Sequence, residues 1–114
     1  MNDLAEAQLE ALRDVANHAN VRIYEPGSGN TEEVRRAFRA YWSEGRRYVC
    51  LSVKRTSGGE YAVAPTVAGR PNFLGPAEQA WHVVSGEPGR QLVTPDFSRA
   101  LGVMREFWKA LPGD

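Results

Sequence analysis

Residues 46–67 read RRYVCLSVKRTSGGEYAVAPTV, and this stretch decides the fold. Val49, Leu51 and Val53 alternate with Tyr48, Cys50, Ser52 and Lys54, the period-two mark of a half-buried strand. Ser57-Gly58-Gly59 interrupts the alternation and EYAVAPTV (60–67) resumes it, so the unit is a β-hairpin. Its register follows from parity. A two-residue Gly-Gly loop sets Val53 opposite Ala64 and Arg55 opposite Ala62, leaving Tyr61 and Val63 facing away from Val53. A loop one residue longer pairs Val53 with Val63 and Arg55 with Tyr61. The longer loop is expected, because it gathers Val49, Leu51, Val53, Tyr61 and Val63 on one face and a one-residue slip would turn them over. The opposite face then carries Cys50, Ser52, Ala62 and Ala64. Side chains that small predict either a closely packed neighbour or a shallow groove.

Upstream, the spacing of TEEVRRAFRAYWSEG (31–45) predicts a helix. Val34, Ala37, Phe38 and Tyr41 form its inner stripe, with Trp42 at the edge, Asn30 as the N-cap and Gly45 just past the end. VRIYE (21–25) reads as a short strand and EPGSGN (25–30) as a turn. Residues 3–19 form an amphipathic helix with Leu4, Leu9, Leu12, Val15 and Ala16 on one side, capped by Asp3 and stopped near Asn20.

Downstream, AGRPNFLGP (68–76) reads as a loop. The next residues are readable as a helix with Pro76 at its first position or as a strand, AWHVVS (80–85). The strand is favoured, because Glu87-Pro88-Gly89-Arg90 matches a type II turn and QLVT (91–94) supplies a return strand. Thr94 as N-cap and Pro95 at the first position start a last helix running to Leu111, with Phe97, Leu101, Val103, Met104, Phe107, Trp108 and Leu111 on one side. The order is α-β-α-β-β-β-β-α: a single α+β domain over residues 1–114, with a mainly antiparallel sheet of four to five strands packed with three helices.

Composition bounds the function. A length of 114 residues suits one core, and 42% hydrophobic with 25% charged residues excludes wholesale disorder. No apolar run approaches the ~18 residues of a membrane span, and MNDLAEAQLE lacks the layout of a secretory signal. The one cysteine, Cys50, rules out an internal disulfide framework and fits a reducing cytoplasm. A net charge of zero argues against a strongly basic nucleic-acid binder. The zero conceals a segregation, however. Residues 1–34 hold seven acids and two bases, a net of −5; residues 35–55 hold seven bases and one acid, a net of +6; the remainder has a net of −1. Twelve of the 14 bases are arginine, which fits a GC-rich bacterial genome and equally suits bidentate anion binding.

Two stretches are candidate sites. The basic block, placed on the second helix and its exit, offers Arg35, Arg39, Arg46 and Arg47 beside Trp42, a set able to neutralise phosphates or meet an acidic protein. The block is also readable as a solvated helix face whose arginines pair with the acidic first helix. The second candidate is Ser28, Gly29, Asn30 and Thr31, between a strand and a helix start, which can present backbone N–H groups to a phosphate. Ser28-Gly29-Asn30-Thr31-Glu32 resembles the FMN phosphate-binding loop of flavodoxins. That resemblance covers about ten residues, and it implies a flavin or nucleotide phosphate at this loop. Here a helix precedes the strand and a hairpin replaces the parallel strands, so a glycine turn with an Asn cap explains the same residues.

No metal-ligand spacing, nucleophile elbow or Walker motif occurs, and no cofactor or metal is expected. Cys50 and His82 would activate a thiolate only if the sheet brought them together. The expectation is a non-catalytic binding or interaction domain of the bacterial cytoplasm, with a protein partner or self-association as a homodimer. The alternative is a nucleic-acid-binding accessory protein using residues 35–47. A third reading is a small enzyme or nucleotide or flavin binder using the 25–31 loop.

Overall fold

The computed structural model of the protein describes residues 4–23, 37–44, 46–69 and 71–111. The elements run α1 (Glu6–His18), β1 (Arg22–Ile23), β2 (Ala37–Glu44), β3 (Arg47–Arg55), β4 (Tyr61–Ala68), α2 (Pro71–Ser85), β5 (Leu92–Thr94) and α3 (Phe97–Ala110). Among the described residues there are thus three helices and one five-stranded sheet, its strands in chain order and every neighbouring pair antiparallel. This is the α+β class expected from the sequence.

The hairpin has the expected register, with Val53 opposite Val63 and Arg55 opposite Tyr61. Its loop closes through Thr56 N–H to the Glu60 carbonyl at 2.7 Å and Gly59 N–H to the Thr56 carbonyl at 3.0 Å. Gly59 has φ +80°, the left-handed conformation a three-residue hairpin loop places there. Helix α1 ends as Asn20 suggested. That residue has φ 57°, Val21 N–H reaches the Ala16 carbonyl and Asn20 N–H reaches the Asn17 carbonyl, a Schellman stop. Asp3 lies outside the described residues. At the other end of α1, Gln8 accepts a hydrogen bond from Ala5 N–H at 2.9 Å.

Two elements exchange types, and because one swap goes each way the counts of helices and strands are preserved. The helix expected over 31–45 is, in its described part, strand β2, paired along its whole length with β3 from Ala37↔Lys54 to Glu44↔Arg47. Phe38, Tyr41 and Trp42 satisfy a helical stripe, but Phe38, Ala40 and Trp42 also satisfy a period of two. The sheet selects the second pattern: Phe38 and Ala40 are buried, while Arg39 and Tyr41 face the other way. Conversely, the loop of 68–76 and the strand AWHVVS (80–85) give way to helix α2 from Pro71. Proline is tolerated there because first-turn N–H groups have no helical partner. Phe73, Ala77 and Trp81, four residues apart, are buried, whereas Val83, which a strand would have placed on the Trp81 side, is 75% exposed. Segment 91–94 therefore pairs with β4 through β5, and the Glu87–Arg90 loop joins a helix to a strand. The last helix starts two residues later than expected. Thr94 is held in β5, and Asp96 is the N-cap, accepting from Ser98 N–H at 2.9 Å.

All three helices share one buried cluster with one side of the sheet. Leu9, Leu12, Phe73, Trp81, Met104 and Phe107 pack with Phe38, Ala40, Val49, Leu51, Val53, Val63 and Leu92. Trp81 and Phe107 meet edge-to-face at 5.6 Å. The molecule is a two-layer sandwich, and among the described residues no helix packs on the other side of the sheet.

Candidate functional site

The strand registers dictate what the open side of the sheet displays. Three rows cross β2, β3 and β4: Arg39–Ser52–Ala64, Tyr41–Cys50–Thr66 and Ser43–Tyr48–Ala68. Arg22 of β1 lies beside Tyr41, and Lys54 continues β3 on the same side. Long side chains on β2 and at the start of β3 surround short ones at the centre, and the result is a depression. Arg39, Tyr41, Tyr48, Cys50, Ser52 and Thr66 line a concavity of about 590 Å3, the size of a small-ligand or side-chain recess. The small-residue face of the hairpin is thus a shallow groove.

The lining is rich in donors. It holds one guanidinium, two phenols, two aliphatic hydroxyls and a thiol. Burial pushes the Tyr48 phenol above its ordinary value, helped by its hydrogen bond to Cys50, while the Arg39 guanidinium pulls it the other way. Tyr48 is therefore a neutral donor at physiological pH. Ser52 Oγ donates to the Ala64 carbonyl at 3.4 Å, which spans β3 and β4 beneath the recess.

Charge on this side is one-signed. Arg22, Arg39 and Lys54 occupy it, and no described strand position on it carries Asp or Glu. Arg39 is half-buried and makes no ion pair or hydrogen bond among the described residues. Two acids of α1 are paired within α1: Arg13 sits 2.9 Å from Glu10 and 3.7 Å from Glu6, while His18 Nδ1 donates to the Asp14 backbone carbonyl at 2.8 Å.

The residues nominated from the sequence are divided by the β-conformation of 37–44. Arg39 lines the recess. Trp42 points to the helix side, where it stacks on Phe73 at 5.5 Å and 28°. Arg47 joins it there, its guanidinium 5.5 Å from the Trp42 ring and 5.4 Å from the Phe73 ring. Arg46 is exposed in the turn between β2 and β3. Arg35, Ser28, Gly29, Asn30 and Thr31 lie outside the described residues. One patch of Arg39, Arg46, Arg47 and Trp42 on a helix face does not form. Tyr41, Tyr48 and Thr66 are recess residues not singled out from the sequence: the helical reading of 31–45 concealed Tyr41, for which the alternation of Phe38, Ala40 and Trp42 was the signal, and the alternation of the hairpin was the signal for Tyr48 and Thr66.

Cys50 and His82 form no dyad. Cys50 lines the recess on the open side, whereas His82, on α2 in the helix layer, donates from Nδ1 to the Glu87 carbonyl at 2.9 Å. Among the described residues no group of three or more His, Cys, Asp or Glu side chains could hold a metal ion, and no helix is long and apolar enough to cross a membrane. Two further depressions lie elsewhere. One of about 180 Å3 lies between β4 and α2, beside Trp81 and Arg90; one of about 370 Å3 lies between the ends of α1 and α3, beside Asp14 and Arg105. No known protein family matches the sequence, and no significant similarity links it to curated proteins or its fold to solved structures.

Proposed function

We propose that this protein is a non-catalytic binding domain that holds a partner protein against the open face of its sheet. The observation that carries this reading is the one-sided packing. Every described helix buries its apolar stripe on the Val49–Leu51–Val53 side, and the other side offers a recess bordered by arginine and tyrosine. Tyrosine and arginine supply much of the energy of protein interfaces, because each combines a large contact area with directed hydrogen bonds. The single cysteine and the arginine-rich composition favour a bacterial cytoplasmic setting.

A photoreactive benzoylphenylalanine placed at Thr66, on the open face, and at Val83, on the helix layer, tests this in living cells. A discrete protein adduct from position 66 and none from 83 is expected. Adducts from 83 alone, or a nuclease-sensitive adduct from 66, would overturn the reading. An adduct of twice the chain's mass would make the partner a second copy.

A further inference from the structure

We infer that the partner engages this face through carboxylates, with Arg39 as the anchor for an Asp or Glu side chain of an acidic segment laid across β2, β3 and β4. The inference rests on the binding reading above and adds the chemistry of the partner.

Arg39 sets the chemistry of this face. Its guanidinium is partly removed from water, yet no described carboxylate neutralises it and no described acceptor takes its N–H donors. A half-desolvated cation without a counter-charge is unfavourable, and an incoming carboxylate relieves it with two parallel hydrogen bonds. Arg13 shows what the chain does where it satisfies an arginine itself: two glutamates converge on one guanidinium. Around Arg39, the hydroxyls of Tyr41 and Thr66 provide donors for the second oxygen or for a neighbouring backbone carbonyl. Arg22 and Lys54, at the margins, extend the positive field past the recess, so a segment with more than one acid is accommodated.

The same charges decide against two other occupants. A second copy stacked sheet to sheet would set Arg22, Arg39 and Lys54 against their like, which is repulsive. A single strand of nucleic acid needs free aromatic planes and a track of cations. Here Trp42 and Arg47 sit on the far side of the sheet, so among the described residues only Tyr41 and Tyr48 give the recess aromatic rings, and no tryptophan or phenylalanine plane accompanies its cations.

The test is an NMR titration of the ¹⁵N-labelled full chain with hexaglutamate, hexaglutamine and a hexathymidine oligodeoxynucleotide. Hexaglutamate is expected to shift the amides of Arg39, Tyr41, Cys50, Ser52 and Thr66, and hexaglutamine to leave them in place. Arg39→Glu and the milder Arg39→Gln are expected to weaken hexaglutamate binding by about tenfold, the worth of one charge-assisted hydrogen bond. Arg105→Glu on α3 is expected to change it less than about twofold. Retained amide dispersion in each variant separates lost binding from lost folding. Equal shifts with hexaglutamine, or no shift with any probe, would overturn the carboxylate inference while leaving the open-face reading intact. Stronger shifts with hexathymidine would overturn both in favour of nucleic acid. Shifts centred on α1, α2 or α3 would remove the open face as the binding surface.

Discussion

The helix layer and the open face of the sheet differ in how they dispose of charge. On α1, Glu6 and Glu10 face Arg13 one or two turns away, and on α3 Glu106 faces Lys109 at 3.7 Å. A helix permits this because residues three and four apart are neighbours, so opposite charges in one segment meet without help from the fold. A strand sends alternate residues to opposite faces. The charges on one strand's outer face must therefore be answered by adjacent strands, and at Arg39 the neighbours are Ser52 and, beyond it, Ala64. Glu6, Glu10 and Glu106 find basic partners on their own helices, whereas Arg39 on the open face has no acidic partner among the described residues.

The sharpest way to break this contrast is through stability. Trp81 is 1% exposed, bonds the Gly89 carbonyl through Nε1 at 3.2 Å and packs on Phe107. Trp81→Ala is expected to cost about 3–5 kcal/mol in urea unfolding, whereas Tyr48→Ala on the open face should cost less than about 1 kcal/mol. Similar losses at both sites would mean that the open face is part of the folding core. A smaller effect separates the arginines. Arg13→Met removes exposed pairs and should cost up to about 0.5 kcal/mol, while Arg39→Met, which keeps the apolar stem and deletes a charge that no described acid opposes, should be neutral or stabilising. A cost at Arg39 above that at Arg13 would show that its charge is already satisfied within the chain.

The smallest effect is one of pH. Tyr48 ionises above its ordinary 10.0, because burial and the Cys50 hydrogen bond favour the neutral phenol. Its raised folded-state pKa adds stability that is full below about pH 10 and is lost as pH rises through the folded value. Absorbance at alkaline pH should show one late-titrating tyrosine that disappears in Tyr48→Phe. Cys50→Ala should move that step back toward the ordinary range, and an unshifted step in the parent would mean that the Tyr48 phenol is not desolvated in the recess.

Much of the architecture was legible in the chain. The hairpin register could be settled because one arrangement of 49–53 against 61–63 buries every large apolar side chain and the alternative strands half of them. The end of α1 was legible in Asn20, one of the few residues at ease with positive φ. Segments 31–45 and 77–85 were not, because both carry apolar residues at spacings that satisfy either period. Phe38 and Trp42 are four apart and also on alternate positions through Ala40; Trp81, Val83 and Ser85 alternate, but Trp81 also follows Phe73 and Ala77 by turns of a helix.

The sequence by itself determined the α+β class, the hairpin, its parity and the small-residue face, since each rests on local period and on turn chemistry that neighbours do not alter; that this face stays open as a groove was decided by the tertiary structure, which lays the helices on the other side. Only the tertiary structure decided that 37–44 pairs with β3 and that 71–85 coils over the sheet. Those segments gain little from local preference, and the free edge of β3 and the uncovered Val49–Leu51–Val53 face were what they had to satisfy. That decision also sent Arg39 to one side of the sheet and Trp42 with Arg47 to the other, turning a single basic block into two different surfaces.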